Sequence, residues 1–276
     1  MTTIHVAHSP DSDDAFMFYA LAAGKIDTEG LTYVHELQDI ESLNQRAMRG
    51  ELEVTAVSIH AYAYLSDRYS LLPHGASMGD RYGPRLVARD PADRSEVKGK
   101  RIAIPGRLTT AFLTLNLIQP DFEPVETPFD KILEAVQERK ADAGLIIHEA
   151  QLTYAKAGFH NVVDLGRWFK DNYELPLPLG ANVLRRDLTP EVTSECCRLM
   201  RDSIQYALDH REEALNYAMQ FARELETPLA DKFVGMYVNH YTVDCGELVP
   251  KAAQKLLDMG YEAGLIPHRV QLEIVR

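Results

Sequence analysis

Apolar and polar residues along the chain switch repeatedly between a period near two and a period near 3.6. IHVAHS, from Ile4 to Ser9, alternates as a strand does, breaks at Ser9-Pro10 and leads through a turn into the helical DSDDAFMFYALAAG. DIESLNQRAMRG reads as a second helix, in which Asp39 caps, Ile40, Leu43 and Ala47 share a face, and Gly50 stops the run. The strand EVTAVS, the helix IHAYAYLSDRY and the strand PRLVARD follow. The polar, punctuated PADRSEVKGK then predicts a crossing into a second unit.

That unit starts afresh with the strand RIAIPG. It continues through the helix TTAFLTLNLI, a short strand near EPVET, the helix FDKILEAVQERK and the strand ADAGLII, which ends at His148. A return crossing falls in ELPLPLGANVLRRDL, where ANVLRRD matches PRLVARD in length, apolar centre and Arg-Asp ending. The remainder is helical: Thr189 caps with Pro190 at the first helical position, and Val192, Cys196, Leu199 and Ser203 form one stripe. Asp209 with Glu212 offers a second cap, and two further helices are expected over 228–240 and 246–263. Such alternation predicts an α/β fold with mainly parallel sheets, arranged as two lobes around a ligand cleft. Residues 1–90 and 183–276 are expected to form the first lobe, and 91–182 the second.

The 276 residues are 46% hydrophobic, enough for well-packed cores. A formal charge of -12, from 29 basic and 41 acidic side chains, leaves no basic face for a phosphate backbone and argues against nucleic acid as a partner. An anionic small molecule stays compatible, because local donors decide its binding. The start MTTIHVAHSPDSDD has neither the basic stretch nor the apolar core of a secretory signal, and no 18-residue apolar run occurs, so a cytoplasmic protein without a membrane span is expected. Cys196, Cys197 and Cys245 fit no metal spacing and are expected to be reduced, structural thiols.

Three strand ends carry candidate chemistry. GLIIHEA brings an aliphatic strand to a stop at His148, where an imidazole can transfer protons near neutral pH or simply hydrogen-bond the strand terminus. PGRLTTAF sets Thr109 and Thr110 at a strand-to-helix junction, suited to a carboxylate or phosphate, or to plain capping by Thr109. VTAVSIHAY repeats the arrangement with Ser58. The acidic HSPDSDDAF could suggest a metal, but it lacks the glycine and distal glutamate of a calcium loop, and a helix dipole alone accounts for acids there; no metal site is expected. GASMG matches GxSxG, yet a glycine and a proline follow where a nucleophile elbow needs a helix, so Ser77 is not read as a nucleophile.

Taken in order, HSPDSDDAFMFYAL, the SLN of ESLNQRAMRGELEVTAVS, DRYSLLPHGASMGDRYGPRLVAR, PGRLTTAFLTL, GLIIHE, DLGRW and LPLPLGAN resemble the 1,4-dihydroxy-6-naphthoate synthase family of the futalosine route to menaquinone. The resemblance runs from residue 8 to about residue 187 and continues as a looser helical match. It implies a two-lobed, type II periplasmic-binding-protein-like fold in a cytoplasmic enzyme. The implied reaction is a carbon–carbon lyase step from cyclic dehypoxanthine futalosine to 1,4-dihydroxy-6-naphthoate, without metal or redox cofactor. By position, His148 would be the proton acceptor and Thr110 and Ala111 would hold the substrate carboxylate. The other ligand segment would be Ala56, Val57 and Ser58; relatives resemble T-K-x-S there, whereas this chain has Thr55-Ala56-Val57-Ser58 and lacks the lysine. Chorismate dehydratase of the same pathway and a non-catalytic small-molecule binding protein are the alternatives, and GLIIHE favours the synthase.

Overall fold

A computed structural model describes residues 2–222 and 225–275. Its strands, in chain order, are β1 (Thr2–His8), β2 (Leu31–Leu37), β3 (Val54–Ser58), β4 (Tyr69–Leu71), β5 (Ser77–Gly79), β6 (Arg85–Ala88), β7 (Arg101–Ile104), β8 (Glu123–Glu126), β9 (Ala143–Ile146), β10 (His160–Asp164) and β11 (Leu177–Arg185). The first sheet runs β2-β1-β3-β11-β4 with β5 also on β11, and the second runs β10-β6-β9-β7-β8. All five residues of β3 and all four of β9 are buried, as central strands covered on both faces must be.

The α/β alternation predicted from the sequence is present, but the sheets are mixed rather than mainly parallel. Four strand pairings are parallel and five antiparallel, because the chain reverses direction where it changes sheet: β6 and β11 run against their neighbours. Placement of PRLVARD also differs from expectation. β6 pairs with β9 and β10 in the second sheet, and β11 already pairs in the first sheet from Leu177, so sheet membership changes before residue 90 and before residue 183. The polar PADRSEVKGK is a surface excursion within the second sheet, closed by a capping box in which Asp93 and Glu96 satisfy each other's backbone N–H. Its polarity reflects exposure, not a boundary.

Other differences are local. LTYVHEL, not predicted as a strand, forms β2 and pairs in parallel with β1 over seven residues. IHAYAYLSDRY is helical only over Ile59–Tyr62 before turning into β4, and β5, β10 and the helix Leu165–Tyr173 are additional elements. The helix Arg211–Ala218 starts from His210 without a side-chain cap, so Asp209 does not cap it. By contrast Asp39 accepts from Ser42 N–H, Gly50 adopts φ 71°, and Thr189 accepts from Val192 N–H, as the sequence predicts.

The helix Ser12–Ala22 is buried almost all round, which its run AFMFYAL requires. Phe16, Met17 and Phe18 pack with Leu199, Met200 and Ile204 of Pro190–Asp209, Ala214 of Arg211–Ala218 and Val234 of Thr227–Tyr237. Ser203 Oγ donates to Met17 O at 2.8 Å. This packing holds the N-terminal turn of the helix toward the second sheet. No helix among the described residues is long and apolar enough to cross a membrane.

The chain passes between sheets at residues 80–84 and again between Asp164 and Leu177, and the two passages touch. A Cβ added to Gly166 would lie 1.8 Å from Tyr82 O, and one added to Gly83 3.0 Å from Gly166 N. The glycines of YGPRL and DLGRW therefore mark backbone-on-backbone packing. Gly166→Ala is expected to destabilise the fold by about 1–3 kcal/mol, the usual cost of overpacking. Gly99→Ala, at an open position strained only by φ 68°, should cost less in a side-by-side urea titration.

Candidate functional site: a cleft between the two sheets

A cavity of about 760 Å³, its mouth included, lies where the two sheets face each other. Its walls come from the turn after β1, the end of β3, the start of the helix Thr110–Ile118, the residue after β9, and β11. Ala56, Val57, Ser58, Thr109, Thr110 and Ala111 all line it, whereas His148 does not.

The donors are preorganised. Thr109 caps its helix: Oγ1 accepts from Phe112 N–H at 3.2 Å and donates to Gly106 O at 2.8 Å. Thr110 and Ala111, the first two helical residues, have no intrahelical acceptor for their N–H groups, and the helix dipole adds partial positive charge there. Thr110 Oγ1 donates to Leu179 O at 2.6 Å and accepts from His60 N–H at 3.2 Å, so this hydroxyl ties both sheets together and contributes little donor capacity of its own. Ser58 is clamped by Asn44, whose Oδ1 accepts from Ser58 N–H at 2.9 Å and whose Nδ2 donates to Ser58 Oγ at 3.1 Å. Because Ser58 Oγ accepts in that pair, its own hydrogen is left for a ligand. Among the described residues no lysine or arginine lines the cavity. An anion held here would rest on neutral donors and the helix terminus, a sufficient combination.

Acidic groups form another part of the wall. Asp11, Asp13 and Asp14 all line the cavity at the start of the helix Ser12–Ala22. Ser9 N–H donates to Asp14 Oδ2 and Ser9 Oγ to Asp11 Oδ2, each at 2.8 Å. Burial, only partly offset by the Ser9 bond, pushes Asp14 up to about 7. Burial, with the charges of Asp14, Asp11 and Glu149 adding to it, holds Asp13 well above the ordinary carboxylate range. Among the described residues no cluster of three or more His, Cys, Asp or Glu could hold a metal ion.

His148 lies just outside. β9 ends at Ile146, Ile147 lines the cavity, and the chain has turned by residue 148. His148 Nε2 donates to Phe129 O at 3.0 Å and Nδ1 accepts from Ala150 N–H at 3.2 Å, an assignment of hydrogens that leaves neither ring nitrogen facing the cleft. Glu149, buried, reaches across instead: Oε1 accepts from Ser12 N–H at 3.3 Å and from Ser12 Oγ at 3.1 Å, while Oε2 stands 3.6 Å from His148 Nδ1. Two more contacts join the sheets, Leu108 N–H to Glu41 Oε2 at 3.0 Å and Tyr237 OH to Gln151 Oε1 at 2.7 Å.

Several lining residues escape sequence reasoning. Tyr237 and Phe233 come from a C-terminal helix far along the chain, and Asn182 and Gly180 from β11. Ser77 also lines the cavity, at the start of β5 rather than on a nucleophile elbow. Asn182 is packed against Gly75, whose φ of 89° and missing Cβ leave room for its amide. GASMG is thus a close-packing signal. Cys196 and Cys245 are buried, all three cysteines are free, and burial pushes the Cys197 thiol up to about 11.

A sequence profile of the menaquinone biosynthesis family matches residues 4–262. The chain belongs to that family. This menaquinone-family chain is 40% identical to the 1,4-dihydroxy-6-naphthoate synthase of Thermus thermophilus over 96% of each chain. It is 36% identical to the enzyme of that name from Streptomyces coelicolor, over 96% of this chain and 95% of the other. A crystal structure of an Archaeoglobus fulgidus protein superposes with a TM-score of 0.92 at 52% identity, covering 96% of this chain and 98% of that one. More distant is an alkanesulfonate-binding protein from Xanthomonas axonopodis bound to MOPS, with a TM-score of 0.73, 13% identity and coverage of 100% and 99%. A Candida albicans protein described as having the generic periplasmic binding protein fold gives a TM-score of 0.70 at 14% identity, covering 100% and 99%. The menaquinone-family chain therefore has the two-lobed periplasmic-binding-protein fold.

Since Asp14 titrates higher in the folded than in the unfolded chain, its contribution to stability is full below about pH 4 and is lost as pH rises through about 7. Asp14→Asn, which keeps an acceptor for Ser9 N–H, should therefore gain stability relative to the parent between those limits and hold a constant advantage above them. Urea unfolding at a series of pH values measures that difference.

Proposed function

We propose that the chain is a 1,4-dihydroxy-6-naphthoate synthase, a carbon–carbon lyase that converts cyclic dehypoxanthine futalosine to 1,4-dihydroxy-6-naphthoate in menaquinone biosynthesis. Full-length similarity to two synthases of that name carries the reading. The cleft supports it independently, since it is shaped for an anionic, partly apolar small molecule. Thr110 and Ala111 N–H and the Ser58 hydroxyl are the donors for the substrate carboxylate, with Thr109 fixing the helix start and Ala56 and Val57 supplying backbone and apolar contact. Ile40, Ile147 and Leu179 offer apolar surface to the ring system. Among the described lining residues no cationic side chain replaces the absent lysine, and donor geometry supports the carboxylate reading.

His148 as proton acceptor requires its ring to exchange the Phe129 carbonyl for the ligand, a rotation that substrate entry and lobe movement would have to drive. The two lobes are best drawn along the sheets, with residues 85–164 forming the continuous one. As a soluble-pathway enzyme with a small substrate, the protein is assigned to the cytoplasm.

Incubation of the purified protein with cyclic dehypoxanthine futalosine should yield 1,4-dihydroxy-6-naphthoate, followed by mass and absorbance. Ser58→Ala should raise KM about tenfold, equivalent to the ~1.4 kcal/mol of one hydrogen bond to a charged group. A folded parent that forms no product would overturn the reading.

A further inference from the structure

Two buried asparagine amides stand beside the cleft, and only one of them is fully occupied. Asn44 accepts at Oδ1 from Ser58 N–H at 2.9 Å and donates from Nδ2 to Ser58 Oγ at 3.1 Å. Asn182, 1% exposed and part of the cavity wall, makes one side-chain hydrogen bond among the described residues, from Nδ2 to Met200 Sδ at 3.7 Å. A thioether is a weak acceptor, so this amide keeps nearly all of its capacity to donate and accept. Its backbone is paired, since Asn182 O accepts from Leu72 N–H at 2.9 Å. The surrounding chain makes room for the amide: Gly75, also in the wall, has φ 89°, and a Cβ there would lie 2.0 Å from Asn182 Nδ2. Burying an amide without a good partner opposes folding, and an apolar side chain at residue 182 would avoid that cost. What the amide serves must therefore come from the cavity.

Strand register sets the amide at a defined distance from the carboxylate donors. Gly180 stands opposite Ser58 and Asn182 opposite Ala56, and because alternate residues of a strand share a face, these four belong to one face of the paired strands. Thr110 Oγ1 bonds Leu179 O, so the carboxylate donors gather at the Leu179–Gly180 end of β11. Asn182 lies two residues, about 7 Å, further along. In 1,4-dihydroxy-6-naphthoate the carboxylate and the two hydroxyl groups stand on opposite rings, a separation of the same kind. A hydroxyl both donates and accepts, as a primary amide does.

We propose that Asn182 is a specificity-determining residue of the cleft, whose amide hydrogen-bonds an oxygen on the ring remote from the ligand's carboxylate. This rests on the synthase reading. The donors at Ser58, Thr110 and Ala111 accept any aromatic acid that fits, whereas Asn182 selects those oxygenated at the far end. A ligand without that oxygen leaves the buried amide unmet, so the protein itself penalises the wrong acid.

The test measures Kd for two acids on the parent, Asn182→Leu and Asn182→Ala: 1,4-dihydroxy-6-naphthoate in oxygen-free reducing buffer, and 2-naphthoate, which lacks both hydroxyl groups. The parent should bind the dihydroxy acid about tenfold tighter, the equivalent of one well-made hydrogen bond. At least one variant should bind 2-naphthoate within about threefold of the parent while losing most of that preference. In urea without ligand, at least one variant should unfold at or above the parent's midpoint, which an amide with a structural role would not allow. A preference that survives within about threefold in the variants overturns the proposal, as does a parent that binds the two acids equally or binds neither. Loss of 2-naphthoate binding in both variants, or a midpoint lowered in both, overturns it as well. Turnover of cyclic dehypoxanthine futalosine by the parent reports on the synthase reading separately: an inactive parent whose preference is nevertheless lost in Asn182→Leu removes the reaction and leaves the amide contact standing.

Discussion

Backbone-on-backbone contact at the passage between the sheets is the constraint on which the rest of the structure depends. Tyr82 O sits where a side chain on Gly166 would have to be, and Gly83 lies against Gly166 N and Cα, so the two crossing segments can run side by side only with hydrogen at those positions. That closeness lets β5 and β11 pair immediately before and after the crossings, and β11 then runs antiparallel along β3, setting Gly180 opposite Ser58. The end of β3 and the cavity wall from β11 are thereby placed together. Thr110 completes the arrangement, because its hydroxyl bonds both Leu179 O and His60 N–H and fixes the second sheet's helix against the first.

Within that frame the donors that line the cleft are neutral: backbone N–H at a helix start and a serine hydroxyl held by Asn44. Its acids crowd together, and burial raises Asp13 and Asp14. Salt bridges such as Arg46–Glu36 and Arg185–Glu53 lie elsewhere, where they contribute little individually.

Much of this was legible in the sequence, for identifiable reasons. Asp39, Gly50 and Thr189 act through neighbours within four residues, so local spacing predicts them. Ser58, Thr109 and Thr110 stand at strand-to-helix junctions, which α/β topology turns toward a cleft. β2 was hidden because LTYVHEL is a half-exposed edge strand with few apolar residues, stabilised by pairing with β1 rather than by its own pattern. Polarity in PADRSEVKGK reports exposure, whereas the passage between sheets is short and marked by Gly166, whose role depends on Tyr82, 84 residues before it. His148 was placed correctly at the end of its strand, but two further residues of turn rotate it toward Phe129. The helix dipole alone accounts for the acids around Asp13 in the sequence, since nothing local discloses the desolvation that raises Asp13 and Asp14.

The order of the strands has a consequence for synthesis on the ribosome. All five strands of the second sheet lie between Arg85 and Asp164, so that sheet can close as soon as its stretch has emerged. The first sheet must wait for β11, and the buried helix Ser12–Ala22 waits longer still for Pro190–Asp209 and Thr227–Tyr237 to cover Phe16, Met17 and Phe18. That apolar helix is thus made before the helices that cover it. The binding cavity, which needs Tyr237, cannot form until Thr227–Tyr237 has emerged.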